Sequence, residues 1–170
     1  MTATYENIAT TTLGSNTASV TFNSFSGYTD LILVMNLRDT ASGTQTYPYV
    51  RFNSDTGTNY SFTRLHGTGS SANSGRASNQ NKLELTEAAG AGTAANVFSP
   101  TIVQIQNYAN TTTNKTCLVR INNETSGGGI AVGALVGLWR STSAITSIEI
   151  TGQTSLATGS SFTLYGIKAE

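Results

Sequence analysis

Charged side chains are scarce in this sequence, and other common signals are missing with them. Of its 170 residues, 18 are charged, nine of each sign, so the formal net charge is zero. The basic stripe that nucleic-acid binding needs is therefore absent. The longest apolar run, Leu31–Met35, is far shorter than the ~20 residues that cross a bilayer. We expect no nucleic-acid partner and no membrane partner.

Cysteine and histidine occur once each, which limits the chemistry available. A single cysteine, Cys117, excludes an internal disulfide and any multi-cysteine metal site. A nucleophilic pair of Cys117 with His66 would require the two side chains to be adjacent in space. The inward phase of Cys117 in an alternating segment favours a small buried hydrophobe instead, and His66 is expected to lie at the surface or to anchor a loop. The N-terminal residues show neither the basic nor the apolar segment of a secretory signal, so none is expected.

The nine carboxylates form no recognisable catalytic or metal-binding pattern. Glu84 and Glu87 are three residues apart, so on a strand they would point to opposite faces, whereas a glycosidase needs two facing carboxylates. Asp55 lies in a predicted turn, where its side chain can cap backbone N–H groups. A calcium site from Asp55, Asn53 and loop carbonyls is the remaining alternative. We expect a protein that is not an enzyme and that needs no cofactor.

Hydroxyl, amide and glycine residues dominate what is present. Thr, Ser, Gly and Asn make up 80 of the 170 residues, yet 14 aromatic residues and ordered β-branched patterns argue against disorder. Apolar and polar residues alternate with period two, as in Cys117–Ile121 and Phe162–Ile167, which is typical of strands with one buried face. The sequence therefore predicts one all-β domain spanning residues 1–170. The predicted architecture is an antiparallel β-sandwich, jelly-roll-like, with about nine or ten strands and with residues 1–12 as an N-terminal arm.

Several local patterns add detail to this prediction. Leu31–Leu37 is nearly continuous apolar, which predicts a strand covered on both faces. Val50–Phe52 and Tyr60–Leu65 flank a turn and predict a hairpin, whereas Gly67–Asn81 has almost no apolar residue and predicts a long surface loop. Glycines in Ala131–Trp139 predict the close approach of another backbone or of a large side chain.

Aromatic residues supply the candidate contact sites. Trp139 is out of phase with Val136 and Leu138, so it is expected to face a neighbour or to cover a sheet edge. Exposed tyrosines could form a carbohydrate platform by stacking, but we favour roles in the core or in subunit contacts, where the ring is apolar and its tip polar. The candidate interface residues are Tyr47, Tyr49, Tyr60, Tyr108, Trp139 and Arg140.

Five segments together resemble a family of small β-rich virion proteins of tailed bacteriophages, common in marine phages and cyanophages. Two of them are Gly137–Glu149 and Phe162–Lys168, whose most specific parts are Leu138-Trp-Arg-Ser-Thr-Ser-Ala-Ile145 and Leu164-Tyr-Gly-Ile-Lys168. The other three are Asn107–Thr116, Tyr28–Val34 and Arg51–Tyr60, so the resemblance extends over nearly the whole chain. It implies a non-enzymatic structural role on the surface of the phage particle and supplies no catalytic residues.

Two placements on the particle follow from the resemblance. In the first, the protein decorates the head as a cement protein and contacts the phage major capsid protein in many copies. In the second, it is a tail fibre or baseplate appendage domain that binds host surface glycan. Low charge and the apolar, glycine-bearing segment Ala131–Trp139 also predict a homo-oligomer, a trimer that would match quasi-threefold positions of a shell. A free carbohydrate-binding module is a third reading, which we favour less.

Overall fold

The chain forms β-strands joined by turns. The computed structural model describes residues 4–123 and 131–168. Within these ranges there is no helix long and apolar enough to cross a membrane. The fourteen strands in them are β1 (Tyr5–Thr12), β2 (Thr17–Asn23), β3 (Asp30–Leu37), β4 (Gln45–Thr46), β5 (Tyr49–Phe52), β6 (Tyr60–Gly67), β7 (Ala72–Gln80), β8 (Leu83–Glu84), β9 (Ala88–Ala89), β10 (Ser99–Ile105), β11 (Lys115–Asn123), β12 (Ala131–Trp139), β13 (Ser147–Leu156) and β14 (Ser161–Ile167).

Eight of these strands form one large antiparallel sheet, in the order β1-β14-β3-β10-β11-β12-β6-β7. Its central register places Val103 of β10 between Leu33 of β3 and Val119 of β11, and Val119 pairs in turn with Leu135 of β12. All four side chains are buried. One face of the large sheet is thus an apolar surface that must be covered.

A smaller sheet of four strands, in the order β2-β13-β5-β8, covers that inner face. Ile150 of β13 lies between Val20 of β2 and Val50 of β5, and all three are buried. A two-stranded sheet of β4 and β9 completes the layer. The two inner faces form a single core, which makes the fold an antiparallel β-sandwich.

The predicted all-β antiparallel class is confirmed, but the strand number is higher than nine or ten. Three of the fourteen strands, β4, β8 and β9, have only two residues each. A fourth, β7, runs through Gly67–Asn81, where a long surface loop was predicted. That prediction is wrong because β7 buries no side chain and so shows no apolar alternation. Its backbone pairs with β6 instead.

Two further local predictions are wrong. Both fail because the strands pair with partners that are distant in the sequence. The predicted N-terminal arm is β1, which pairs with β14 along Tyr5–Thr12 and forms one edge of the large sheet. The predicted hairpin is a corner, since β5 pairs within the small sheet and β6 within the large one. Across the corner, the Tyr60 hydroxyl accepts from Phe52 N at 3.0 Å and donates to Phe52 O at 3.3 Å.

The strand glycines of β12 admit large neighbours, as the sequence predicted. A Cβ at Gly137 would lie 2.7 Å from Leu83 Cδ1 and 2.9 Å from Cys117 Sγ. At Gly133, a Cβ would lie 3.3 Å from Thr86 Oγ1. These glycines therefore let the segment that contains β8 pack closely against the inner face of the large sheet.

Candidate functional site: an uncovered apolar sheet face

The outer face of the large sheet has no layer packed on it within the described ranges. Alternate side chains of each strand point into the sandwich or away from it. Strand register places every large hydrophobic residue that is exposed in the described part of the chain on this side of the large sheet, Tyr5 on the edge strand β1 and the other five on strands between β3 and β7. With their exposed fractions, they are Tyr5 (57%), Val34 (38%), Leu65 (62%), Leu118 (39%), Val132 (61%) and Val136 (56%).

The outward side chains of neighbouring strands form continuous rows, because adjacent strands are about 4.8 Å apart. We call the surface they form between β3 and β7 the outer face, and two rows define its centre. The first row is Val34, Ile102, Arg120, Ala134, Leu65 and Ser74. The second row is Ile32, Gln104, Leu118, Val136, Thr63 and Arg76.

Two adjoining clefts occupy the outer face. The larger, about 820 Å³, is lined mainly by outward residues that include Leu65, Ile102, Arg120 and Val132. The smaller, about 550 Å³, is lined by residues that include Val136. Both volumes lie within the range of ~300–1,000 Å³ that is typical of binding clefts. Strand β12 contributes lining residues to both clefts.

Two predictions about these strands are corrected by this arrangement. β3 is not covered on both faces, since Val34 is 38% exposed. In β12 the inward phase is the one that contains Leu135 and Trp139, whereas Val136 points outward and is 56% exposed. Apolar residues in both phases of a strand therefore mark an exposed apolar face here and not a second packed layer.

Sequence reasoning missed the residues that define this surface. Leu65 stands in the polar phase of β6, next to Thr63, and Val132 and Val136 occupy the second apolar phase of β12. Their common signal is an apolar residue in the phase opposite to the core. That signal is visible in the sequence only once the inward phase of each strand is known.

Three of the predicted interface residues lie in the core of the sandwich. Tyr60 is fully buried, and Tyr108 and Trp139 are each 3% exposed. Trp139 stacks on Tyr60, with ring centroids 6.4 Å apart, and Tyr108 packs edge-on against Phe25 at 5.6 Å. Burial raises the pKa of Tyr60 to about 12. These rings present no surface to a partner, and they fit the core role that we favoured for the aromatic residues.

The other three predicted residues are partly exposed, and none of them stands in the two central rows of the outer face. The Tyr49 ring, on the small sheet, has the guanidinium of Arg51 4.8 Å and the ammonium of Lys82 4.5 Å from its centroid. Tyr47 N donates to Gln153 Oε1 at 2.9 Å. Arg140 holds neighbouring segments together through neutral oxygens. The guanidinium donates to Ser61 Oγ, Thr58 O and Asn79 Oδ1.

The structure does not assemble a Cys–His nucleophilic pair. Cys117 pairs across the sheet with Gly137, whereas His66 pairs with Gly133. The two side chains therefore lie four residues apart along the strands, or about 13 Å. Cys117 is buried, as expected, and burial raises the pKa of its thiol to about 12, which keeps it protonated. His66 Nε2 lies 3.8 Å from Glu87 Oε1, near the edge of the core.

The alternative calcium site is also occupied by protein donors. Asp55 accepts from Gly57 N at 2.8 Å, Asn59 Nδ2 at 2.9 Å and Trp139 Nε1 at 2.6 Å. The amide oxygen of Asn53 accepts from the backbone N–H groups of Thr146 and Ser147. These oxygens hold the corner between the two sheets, and the predicted capping role of Asp55 is confirmed. In residues 4–123 and 131–168, no three His, Cys, Asp or Glu side chains converge as metal ligands would.

Charge on the outer face is unbalanced. Arg120 and Arg76 stand in its two central rows, which contain no carboxylate. Neither guanidinium group forms a hydrogen bond or an ion pair with any residue that the structure describes. By contrast, Arg38 donates five hydrogen bonds to residues 91–97. The outer face thus combines exposed apolar side chains with two unpaired guanidinium groups.

No protein-family model, no curated protein and no solved structure matches this chain. The resemblance to phage virion proteins therefore stays a prediction. The β-sandwich and the outer face rest on the structure alone.

Proposed function

We propose that this protein is a non-enzymatic virion structural protein that decorates the head of a tailed bacteriophage, and that its outer face is the attachment surface. The observation that carries the proposal is the grouping of all the exposed large hydrophobics of the described chain on one sheet face. A contiguous exposed apolar patch marks an interaction site more often than it marks ordinary surface. The sequence resemblance is the reason for proposing a phage particle, and the outer face is the reason for proposing how the protein attaches to it.

The opposite surface of the sandwich supports this orientation. The outer side of the small sheet is polar, with Thr21, Glu149 and Arg51 adjacent across its strands. One side of the molecule therefore suits contact with protein, and the other suits contact with water. On a shell, many copies would present the polar side outward, and weak single contacts would add up to strong retention. Because the contact is mostly apolar, retention should depend little on salt.

Glycan binding by a tail appendage is supported less well. A sugar stacks on a free aromatic face. In the described chain, Tyr60, Tyr108 and Trp139 are buried, and cations lie against the ring of Tyr49. The partly exposed Tyr47 stays a candidate for such contact. The homotrimer also stays part of the proposal, with its subunit contacts outside the outer face, and light scattering that finds a strict monomer both free and on particles would refute it.

Immunogold labelling of virions of the phage that carries this protein tests the placement. We expect label over the head, and label on the tail alone would refute decoration. A particle that lacks the protein can then be incubated with purified variants. The double variant Leu65→Ser, Val136→Ser should bind far less than the wild type, while Thr21→Ala on the polar side should bind equally. Equal binding by all three proteins would exclude the outer face as the attachment surface.

A further inference from the structure

The two central rows of the outer face contain two arginines and no carboxylate, and this limits what can cover them. Arg120 lies in the central strand β11, between Ile102 of β10 and Ala134 of β12. Along its own strand, the outward neighbours of Arg120 are Leu118 and Asn122. Arg76 marks the β7 side of the same face. Any partner that covers these apolar neighbours also removes water from Arg120.

A buried guanidinium without a counter-charge is costly, so the partner must supply one. A second copy stacked with its central rows on these rows would not supply one, because those rows contain arginine and no carboxylate. Face-to-face pairing would place like charges against each other. Nucleic acid is also a poor fit, since it requires many basic residues on one face and here there are two among apolar side chains.

We propose that the outer face docks a protein surface of apolar side chains that also carries a carboxylate, which pairs with Arg120. This inference deepens the proposed function and rests on it for the identity of the particle. The chemistry of the outer face does not depend on the proposed function. A planar guanidinium binds a carboxylate through two parallel hydrogen bonds. The apolar side chains supply contact area, and the ion pair fixes the register of the partner on the sheet and excludes basic surfaces.

Peptide binding tests this chemistry without any phage component. The probes are two fluorescein-labelled amphipathic peptides of leucine and alanine that differ only in carrying glutamates or lysines at the same positions. Fluorescence anisotropy should show that the acidic peptide binds the wild-type protein at least about tenfold more tightly than the basic peptide does. The Arg120→Glu variant should reverse that preference.

Two further variants test whether apolar side chains within the clefts contribute to peptide binding, as distinct from any exposed apolar side chain of the sheet. Val136→Ser, within the clefts, should weaken binding of the acidic peptide. Tyr5→Ser removes a similarly exposed apolar side chain at the far edge of the same sheet, outside the clefts, and should leave binding unchanged. Circular dichroism and thermal melts must show that each variant folds as the wild type does.

Several results would overturn the inference. They are equal affinity for the two peptides, no effect of Arg120→Glu in a folded protein, and wild-type self-association in sedimentation that Val136→Ser abolishes. Flotation of the protein with phosphatidylcholine–phosphatidylglycerol vesicles, lost in Val136→Ser, would likewise point to lipid as the occupant. Acidic-peptide selectivity without labelling of virions would refute the proposed function alone, whereas head labelling without selectivity would refute this inference alone.

Discussion

Replacing Asp55 by alanine should weaken the corner that joins the two sheets. The Asp55 carboxylate accepts from Trp139 Nε1 on β12 and from Gly57 N and Asn59 Nδ2 within the turn that follows β5. It therefore links the β5–β6 corner to the large sheet. The Asp55→Ala variant removes all three hydrogen bonds and introduces no new steric demand.

The magnitude follows from the burial of the donors. Trp139 is 3% exposed, so its Nε1–H would be left without a partner, which costs about 1–3 kcal/mol. The two donors in the turn are accessible to water, and their loss should cost about 0.5 kcal/mol each. We expect the free energy of unfolding to fall by about 3 kcal/mol, which lowers Tm by roughly 6–12 °C for a chain of this size.

The pH dependence gives an independent check on the cause. Burial acts to raise the pKa of Asp55, but the hydrogen bonds from Trp139, Asn59 and Gly57 outweigh it, so the pKa is lowered from its usual value of 3.8. A group with a lowered folded-state pKa stabilises the fold above its unfolded pKa and loses that contribution as the pH falls through the folded pKa. The stability difference between wild type and Asp55→Ala should therefore shrink in acid below 3.8.

Urea denaturation of the two proteins at neutral and acid pH measures both effects. Asp30→Ala is a matched control, because the Asp30 carboxylate accepts its hydrogen bond from an exposed donor, Asn107 N. It should cost less than about 1 kcal/mol. A double-mutant cycle of Asp55→Ala with Trp139→Phe isolates the indole bond. An Asp55→Ala protein as stable as Asp30→Ala, or a deficit that does not change with pH, would show that this reasoning is wrong.

Three other changes test separate parts of the fold. Arg38→Ala removes five hydrogen bonds to residues 91–97 and should lower the free energy of unfolding by about 2–4 kcal/mol, with faster amide exchange in that segment measured by mass spectrometry. Cys117, buried with its pKa raised to about 12, should react with Ellman's reagent only in denaturant; rapid reaction of the native protein would contradict its burial. Gly137→Val would place atoms against Leu83 and should cost about 1–3 kcal/mol or more in urea denaturation, whereas Gly14→Ala, which meets no atom within 4 Å, should cost much less.

The strands that alternate between buried apolar and exposed polar residues could be predicted from the sequence. In β11, Cys117, Val119 and Ile121 are buried, as the alternation indicates, and in β14 Phe162 and Leu164 are buried. Such strands can be recognised in the sequence because a single buried face imposes an alternation of period two on it. The same rule does not apply to β7, whose pairing with β6 is made by backbone groups that any residue supplies.

Which strands are neighbours could not be predicted from the sequence. Consecutive strands β5 and β6 seemed to form a hairpin, because the intervening turn residues suit a hairpin as well as a corner. The choice is made by long-range pairing: β5 aligns with β13 and β6 with β12, both far along the chain. The side chain of Tyr60 then bonds to the backbone of Phe52 across the corner, a contact that no local pattern encodes.

The outer face shows why the candidate site was the hardest part to predict. Neutral composition and abundant hydroxyl residues indicate a polar surface, and this holds for the small sheet. The large sheet departs from it because Val34, Leu65, Val132 and Val136 occupy the phase that points away from the core. While these side chains are exposed, the isolated chain does not gain the free energy of burying them, which is roughly 1.5–3 kcal/mol for each side chain that is fully covered. A partner that covers them recovers part of that free energy, and Arg120 among them restricts the choice to partners that bring a negative charge. The low charge of the chain as a whole therefore gives Arg120 and Arg76 their selectivity, because the two central rows in which they stand contain no carboxylate that would neutralise them first.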